Sequence, residues 1–547
     1  MGRTGREGHL SAQNDADVII VGAGVSGAMV AEGLAKKGVK VLVLESGPLQ
    51  DRQQAVDDFR ASPVRVPEAA YPDVSYAPRA GTVNPADYYV QKGWGFRSNY
   101  ERRVGGATWH WLGTALRFVP NDFRMKTEFG HGADWPISYN ELEPWYGKAE
   151  DAIGVSGEDT PLLGSPRSTP YPMPPIPLSY MDKVFKKGAA TIGLTVNSTP
   201  QARNSVQRDG RPACCGNSSC VPICPIGAKY DGTVHVKKAQ AAGATFIPSA
   251  VVVNVQVQPG TATVTYRPSG GDPITITSHT VVIAASAIEA AKLMLMSKSD
   301  QQPQGLGNAS DMVGRFLMDH PVQLAWGVLP QRTYPYRGPG STSGIDEVRD
   351  GAFRSQYSAF RPEVHNDGWT YMMGDPTAQV AEWAKKSDIG TAGFADFTDQ
   401  ILRQALIASC VEQEPLATNR VTLATETDAI GVPRPAITYE MGEYTTNGSK
   451  AARTLHLRVL QTLGATGVQQ NPIDNFQGAG HNIGTTRMGN DPKASVVDKN
   501  LRVHGTRNCF VVGTSPMVTS GTANPTLTVA ALALRAVEPI RKSLTEG

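Results

Sequence analysis

The stretch that most restricts the fold is DVIIVGAGVSGAMVAEGLAKKGVKVLVLES, residues 17–46. Two short β-branched apolar runs flank an alanine-rich segment of helical length, and neither run alternates with polar residues. That pattern predicts a strand, a helix and a second strand, with both strands buried on both faces of a parallel sheet. Gly22, Gly24 and Gly27 form G-x-G-x-x-G where the first strand gives way to the helix, and Glu45 closes the second strand. The first glycine permits the tight turn, the second lets backbone approach a pyrophosphate, and the third lets helix and strand pack closely. An anion then rests on the helix N-terminus, and the acid accepts hydrogen bonds from a ribose hydroxyl.

Strand and helix patterns recur in residues 233–298 and again in the last seventy residues, where NCFVVGTS leads into NPTLTVAALALRAVEPI. The predicted fold is therefore α/β, with a Rossmann-like domain assembled from the discontinuous segments 15–60, 233–325 and 470–545. A fingerprint near the N-terminus, in a domain completed by a C-terminal strand, suits FAD better than NAD. Residues 61–232 are rich in Pro, Tyr, Arg and Gly, and they read as long loops wrapping the flavin. Residues 326–469 read as a mixed α+β substrate domain. Within the loops, ERRVGGATWHW offers Gly105 and Gly106 for close backbone approach, with Thr108, Trp109 and His110 expected against the ring.

Composition removes several alternatives. Charged residues are 19% of the chain and the formal net charge is +2, with no basic tract along a helix, so a nucleic-acid partner is not expected. The most apolar C-terminal segment is interrupted by Arg535 and Glu538 before it could cross a bilayer. The polar N-terminus has no apolar core of a secretory signal, so export would depend on another chain.

Four of the six cysteines, Cys214, Cys215, Cys220 and Cys224, lie in the stretch RPACCGNSSCVPICPIGAKYDG. Zinc, disulfides and an iron-sulfur cluster compete for them. Structural zinc favours paired knuckles or histidine partners, and bridges within so short a loop would restrict little chain entropy. A Gly- and Pro-rich loop able to fold around an ion and offer N–H groups to sulfur suits cluster ligation better.

The segments RRVGGATWHW, VVIAASAIEAAKLMLMS, DMVGRFLMDHP, HNIGTTRMG and VVGTSPMVTSGTANPTLTVAALALR, together with the fingerprint, resemble the glucose-methanol-choline oxidoreductase superfamily over nearly the whole chain. With its cysteine insert, the chain resembles the catalytic subunits of cluster-containing bacterial sugar and polyol dehydrogenases. The resemblance implies that His481 and Asn524 face the flavin as the catalytic pair. An imidazole can take the proton of an alcohol, and an amide can hold the same oxygen as charge develops on it. Many relatives carry a second histidine where this chain has Asn524, which leaves the acid–base work mainly to His481. Glu412 falls where some members place a substrate-facing carboxylate, although it could equally cap a strand. His131, His235, His320, His365 and His504 read as structural.

For the cofactor, the resemblance adds Val252, Gly513, Asn524 and Thr526 to the fingerprint residues. It also places His110 where a few oxidases carry a covalent flavin link, and the bond is left open here. It sharpens the cysteines to a 3Fe-4S cluster on Cys215, Cys220 and Cys224, with Cys214 as the possible substitute. The implied activity is oxidation of a sugar or polyol hydroxyl, glucose or a related sugar foremost, with electrons passed to a cytochrome c or quinone. The implied partners are a small export-chaperone-like subunit and a multihaem cytochrome c subunit. They would hold the enzyme at the periplasmic face of the bacterial inner membrane, a cytoplasmic location being the alternative.

Overall fold

The computed structural model describes residues 15–63, 66–81, 85–366 and 390–545, so the N-terminal stretch read for export signals lies outside the described residues. Strand β1 (Ala16–Val21) and strand β2 (Val41–Leu44) are parallel neighbours joined through helix α1 (Val25–Ala35). Val18, Ile19 and Ile20 are completely buried, as a strand covered on both faces requires. Each such side chain contributes about 1.5–3 kcal/mol by leaving water. Helix α1 is itself buried along most of its length, which explains its alanines, and Gly38 ends its last turn at φ +78°.

The parallel core extends through Thr245–Ile247 beside β2, and through Ile274–Ile283 and Cys509–Val511 on the other side of β1. Ala250–Gln258 and Thr261–Pro268 then run antiparallel beyond Ile274–Ile283. The segment TFIPSAVVVNVQV forms two strands, because Ser249 turns the chain at φ +56° between them. The C-terminal helix Thr526–Ser543 packs on α1, so the last residues of the chain close the layer that the first ones open.

The second sheet is antiparallel and six-stranded. Its order is Thr466–Gln470, Val322–Val328, Gln404–Val411, Phe360–His365, Ser341–Ile345 and Val196–Ser198. Helices Tyr180–Ala190 and Glu443–Thr462 supply a hydrophobic cover that includes Met181, Phe185, Val459 and Leu460. The sheet therefore takes up Val196–Ser198 and its preceding helix from the region read as flavin-wrapping loops. A three-residue strand in a Pro-rich stretch carries too little periodicity to be seen before its partners are known. A small third sheet joins Arg420–Thr427 and Pro433–Tyr439 to Val90–Gly93.

Candidate active site

Between the nucleotide layer and the antiparallel sheet lies a cavity of about 640 Å³. Three helix N-termini reach its wall, through Gly24 and Val25, through Ser286, and through Asn524 to Thr526, which gives the wall a positive potential suited to an anion. The glycines divide their work as the fingerprint predicts. Gly22 turns at φ +110°, and a Cβ there would meet the Ala284 carbonyl oxygen at 2.7 Å. A Cβ on Gly27 would lie 2.0 Å from the Gly22 oxygen, whereas one on Gly24 would meet nothing within 4 Å. Gly24 thus faces open cavity, the space a pyrophosphate requires, while Gly27 is a packing glycine away from the lining.

Glu45 lines the cavity and accepts hydrogen bonds from the N–H groups of Ala23 (2.7 Å) and Gly47 (2.9 Å). The loop expected over the flavin is pinned directly to the fingerprint, since the Gly105 N–H donates to the Ala23 carbonyl at 2.9 Å. Gly106, Thr108 and His110 line the cavity, as do Val252, Gly513, Asn524 and Thr526. Thr108 is also structural, accepting from the Gly232 N–H at 2.8 Å. His110 Nδ1 sits 3.2 Å from Glu101, a fully buried carboxylate; burial opposes its charge, but His110, Arg79 and Arg103 together hold its pKa below the usual range.

Two expectations for this loop change. Gly105 turns at φ +99° behind the lining, against Trp109 and Thr233. Trp109 points away, its Nε1–H donating to the Val104 carbonyl (2.9 Å) and its ring packing near Tyr71, while Trp111 lines the cavity instead.

His481 and Asn524 meet at the wall, His481 Nε2 lying 3.4 Å from Asn524 Nδ2. The Asn524 Oδ1 is buried with no hydrogen-bond partner among the described residues, an acceptor left for a bound group. Burial, and then the neighbouring His320, hold the His481 pKa well below 6.5, so the ring is neutral at pH 7. His320 was read from sequence as structural. It is in fact in direct contact with His481, Nδ1 to Nδ1 at 2.9 Å, which no spacing could show across 161 positions.

Glu412 is corrected. It is fully buried, does not line the cavity, and receives Arg354 Nη2 at 2.5 Å, with Asp122 on the same guanidinium at 2.9 Å. Burial with the nearby Glu412 charge, against Arg354, lifts Asp122 to about 6. The carboxylates that do reach the cavity from the antiparallel sheet begin with Glu363, beside His365.

The cysteine segment touches the same cavity through Ser218 and Val221. Cys220 is buried and Cys214 and Cys224 half-buried, and burial first, then Cys220 and Cys224 nearby, raise the Cys214 thiol against Arg203, whereas Cys215 is exposed. Burial thus sets Cys214, rather than the expected Cys215, with Cys220 and Cys224. The Gly216 N–H donates to Cys214 Sγ at 3.4 Å and the Gly340 N–H to Cys220 Sγ at 3.5 Å. Arg203, 1% exposed, donates to Cys220 Sγ at 3.2 Å and leaves Nη1 without a partner. Lys229, 2% exposed, donates to the carbonyls of Trp109 (2.9 Å), Cys220 (2.7 Å) and Trp111, and burial lowers its pKa to about 8. Neither cation pairs with a carboxylate among the described residues, so the buried positive charge calls for an anion on the sulfurs. Burial alone would raise the Cys224 thiol, yet the Lys229 N–H and the Lys229, Arg203 and Arg52 charges bring it below its ordinary value. A thiolate-held, anionic cluster fits these residues, as FAD fits the glycine wall.

The comparisons with known proteins agree with this geometry. Residues 131–322 and 415–533 match the GMC oxidoreductase family, and residues 15–62 match an FAD binding domain. The chain is 38% identical to the fructose dehydrogenase large subunit of Gluconobacter japonicus, over 97% of this chain and 99% of that one. It is 30% identical to 2-methyl-1,2-propanediol dehydrogenase of Mycolicibacterium austroafricanum, over 97% and 96%. Among solved structures, formate oxidase of Aspergillus oryzae superposes with TM-score 0.64 at 15% identity, covering 98% of this chain and 100% of that one. Pyridoxine 4-oxidase superposes with TM-score 0.63 at 17% identity, over 96% and 99%, and both likenesses concern the fold. With the fingerprint, the His481–Asn524 wall and the full-length match in one molecule, the chain belongs to the GMC oxidoreductase family.

Proposed function

We propose that this chain is the catalytic subunit of a dehydrogenase that oxidises a hydroxyl of a sugar or polyol and passes the electrons to a cytochrome c or quinone. The observation that carries the reading is the neutral His481 beside Asn524 on the cavity wall. FAD, when bound, supplies the acceptor for the hydride that leaves the carbinol carbon. His481 Nε2 takes the hydroxyl proton, and the Asn524 amide holds the oxygen as negative charge develops, an arrangement that needs no protein movement at the moment of reaction.

The substrate is set by the chamber beyond this pair, where Val322, Leu324, Glu363, His365, Ser409 and Gln477 line the cavity. Buried acceptors and donors around an apolar floor suit a polyhydroxylated molecule, because an analogue lacking a hydroxyl would leave them unpaired. The named activity of the Gluconobacter relative favours a hexose such as fructose or glucose.

Cys214, Cys220 and Cys224 would hold a 3Fe-4S cluster, which supplies one-electron transfer out of the enzyme. The relative's designation as a large subunit supports further subunits. We assign to these a small export chaperone and a multihaem cytochrome c, and to the complex the periplasmic face of the inner membrane. No helix among the described residues is long and apolar enough to cross a membrane, so attachment falls to the partners. The test is an anaerobic and aerobic screen of sugars and polyols with a dye acceptor, alongside hydrogen peroxide release, iron content and the paramagnetic signal of the oxidised protein. Dye reduction with iron and little peroxide supports the reading; vigorous peroxide formation by an iron-free enzyme makes the chain an oxidase instead.

A further inference from the structure

His320 lies outside the pair that the C-terminal motifs identify, yet its ring is the one side chain hydrogen-bonded to His481 Nδ1 among the described residues. The two rings meet edge to face, their centroids 5.0 Å apart at 88°. On its far side, His320 Nε2 lies 2.9 Å from the carbonyl oxygen of Gly521. A carbonyl can only accept, so His320 carries its proton on Nε2, and burial keeps this ring neutral, with its pKa near 4. Its Nδ1 is then an acceptor, and a 2.9 Å contact between two acceptors would leave buried lone pairs facing each other, costing about 1–3 kcal/mol. His481 must therefore be the donor, with its proton on Nδ1.

The backbone around both rings is fixed by Asp319. Its Oδ1 accepts the N–H groups of His320 (2.6 Å), Ala479 (3.1 Å) and His481 (2.9 Å), and its Oδ2 accepts the Ser98 hydroxyl. Gly478 must be glycine for this approach, because a Cβ there would sit 2.3 Å from Asp319 Oδ2. We infer that His320, anchored by the Gly521 carbonyl, is a positioning residue that locks His481 as the Nδ1–H tautomer and leaves Nε2 as the basic atom facing the cavity. The inference rests on reading His481 as the base. It adds that the basicity of Nε2 is set from a residue outside the cavity lining. When Nε2 takes the substrate proton, His481 keeps its Nδ1–H bond to His320 and the hydride leaves separately from carbon, so no proton moves between the two rings.

Selective 15N labelling of histidine in the holoenzyme, with assignment by single variants, reads the tautomer directly. His481 is expected protonated on Nδ1 and unprotonated on Nε2 at pH 7. In H320A and H320Q the Nε2–H form should appear and flavin reduction by substrate should slow at least about a hundredfold, the lower end of what a positioned base contributes. H320N places an amide oxygen near the Nδ1 position and should recover much of that loss. An Nε2–H tautomer in the wild type, or an unchanged His481 tautomer in H320A, overturns the inference. Should H320A fail to fold, the wild-type spectrum and H320N still decide it. Loss of the base reading itself would show separately, as substrate reduction of the flavin surviving in H481A.

Discussion

At the cavity wall His481 and His320 meet as two neutral rings, while behind the loop of residues 105–114 Arg203 and Lys229 lie buried as two cations. Both sites carry a burial cost, and each handles it differently. The histidine site avoids charge: burial depresses both rings, and the nearest carboxylate, Asp319, is spent on backbone N–H groups. The cysteine site keeps charge: among the described residues neither Arg203 nor Lys229 forms an ion pair with a carboxylate, Asp231 acting on Lys229 from its pair with Arg52, and Arg203 reaches the Cys220 sulfur. On the proposed function, the difference follows from the particle each would manage. A base needs a free lone pair at neutral pH, whereas a site that gains electrons needs positive charge nearby to stabilise the reduced state. The Lys229 ammonium, bonded to the carbonyls of Trp109, Trp111 and Cys220, ties the cysteine segment to the loop of residues 105–114.

The comparison breaks most readily at its proton side. His481→Ala should slow flavin reduction by about 10²–10⁴-fold, the contribution of a positioned base, while FAD remains bound; rapid mixing under anaerobic conditions measures it, and an unchanged rate removes His481 from the chemistry. Glu412→Gln belongs to neither side. It should cost about 1–3 kcal/mol by removing one charge-assisted partner of Arg354, which keeps Asp122 and Asp350, measured by denaturant unfolding, with little change in substrate KM. A large rise in KM at preserved stability would return Glu412 to the substrate.

On the electron side, Cys214→Ser should lose iron and Cys215→Ser retain it; the reverse pattern in metal analysis would show that the exposed thiol turns inward. A finer test concerns pH. His481 Nε2 must be unprotonated for it to act, and the ring's pKa is held below 6.5, so flavin reduction should stay level from pH 8 to 6.5 and fall only at lower pH. A limb centred at or above pH 6.5 would mean that neither burial nor His320 depresses the ring.

Much of the nucleotide layer was legible because its signals are local. G-x-G-x-x-G, the strand ends and Glu45 act within thirty positions, and Gly22 and Gly27 each have a steric reason visible at their own Cβ, while Gly24 faces open cavity. His481 and Asn524 were legible through the segments around them. The remainder depends on long-range closure. His320 joins His481 across 161 positions, Thr108 is tied to Gly232 across 124, and Glu412 finds Arg354 across a folded sheet. Adjacent Cys214 and Cys215 differ only in which way the turn directs each thiol, a property of backbone geometry that composition does not encode. The same holds for Trp109, which ends a 3-10 turn, and Trp111, two positions beyond it, of which only the second meets the cavity.

The most direct measurement is anaerobic mixing of the FAD-loaded enzyme with a panel of hexoses and polyols while the flavin absorbance is followed. The expected result is bleaching by at least one sugar or polyol in the wild type and its loss in His481→Ala. A wild-type enzyme bleached by none of them, or a His481→Ala variant bleached at the wild-type rate, contradicts the account.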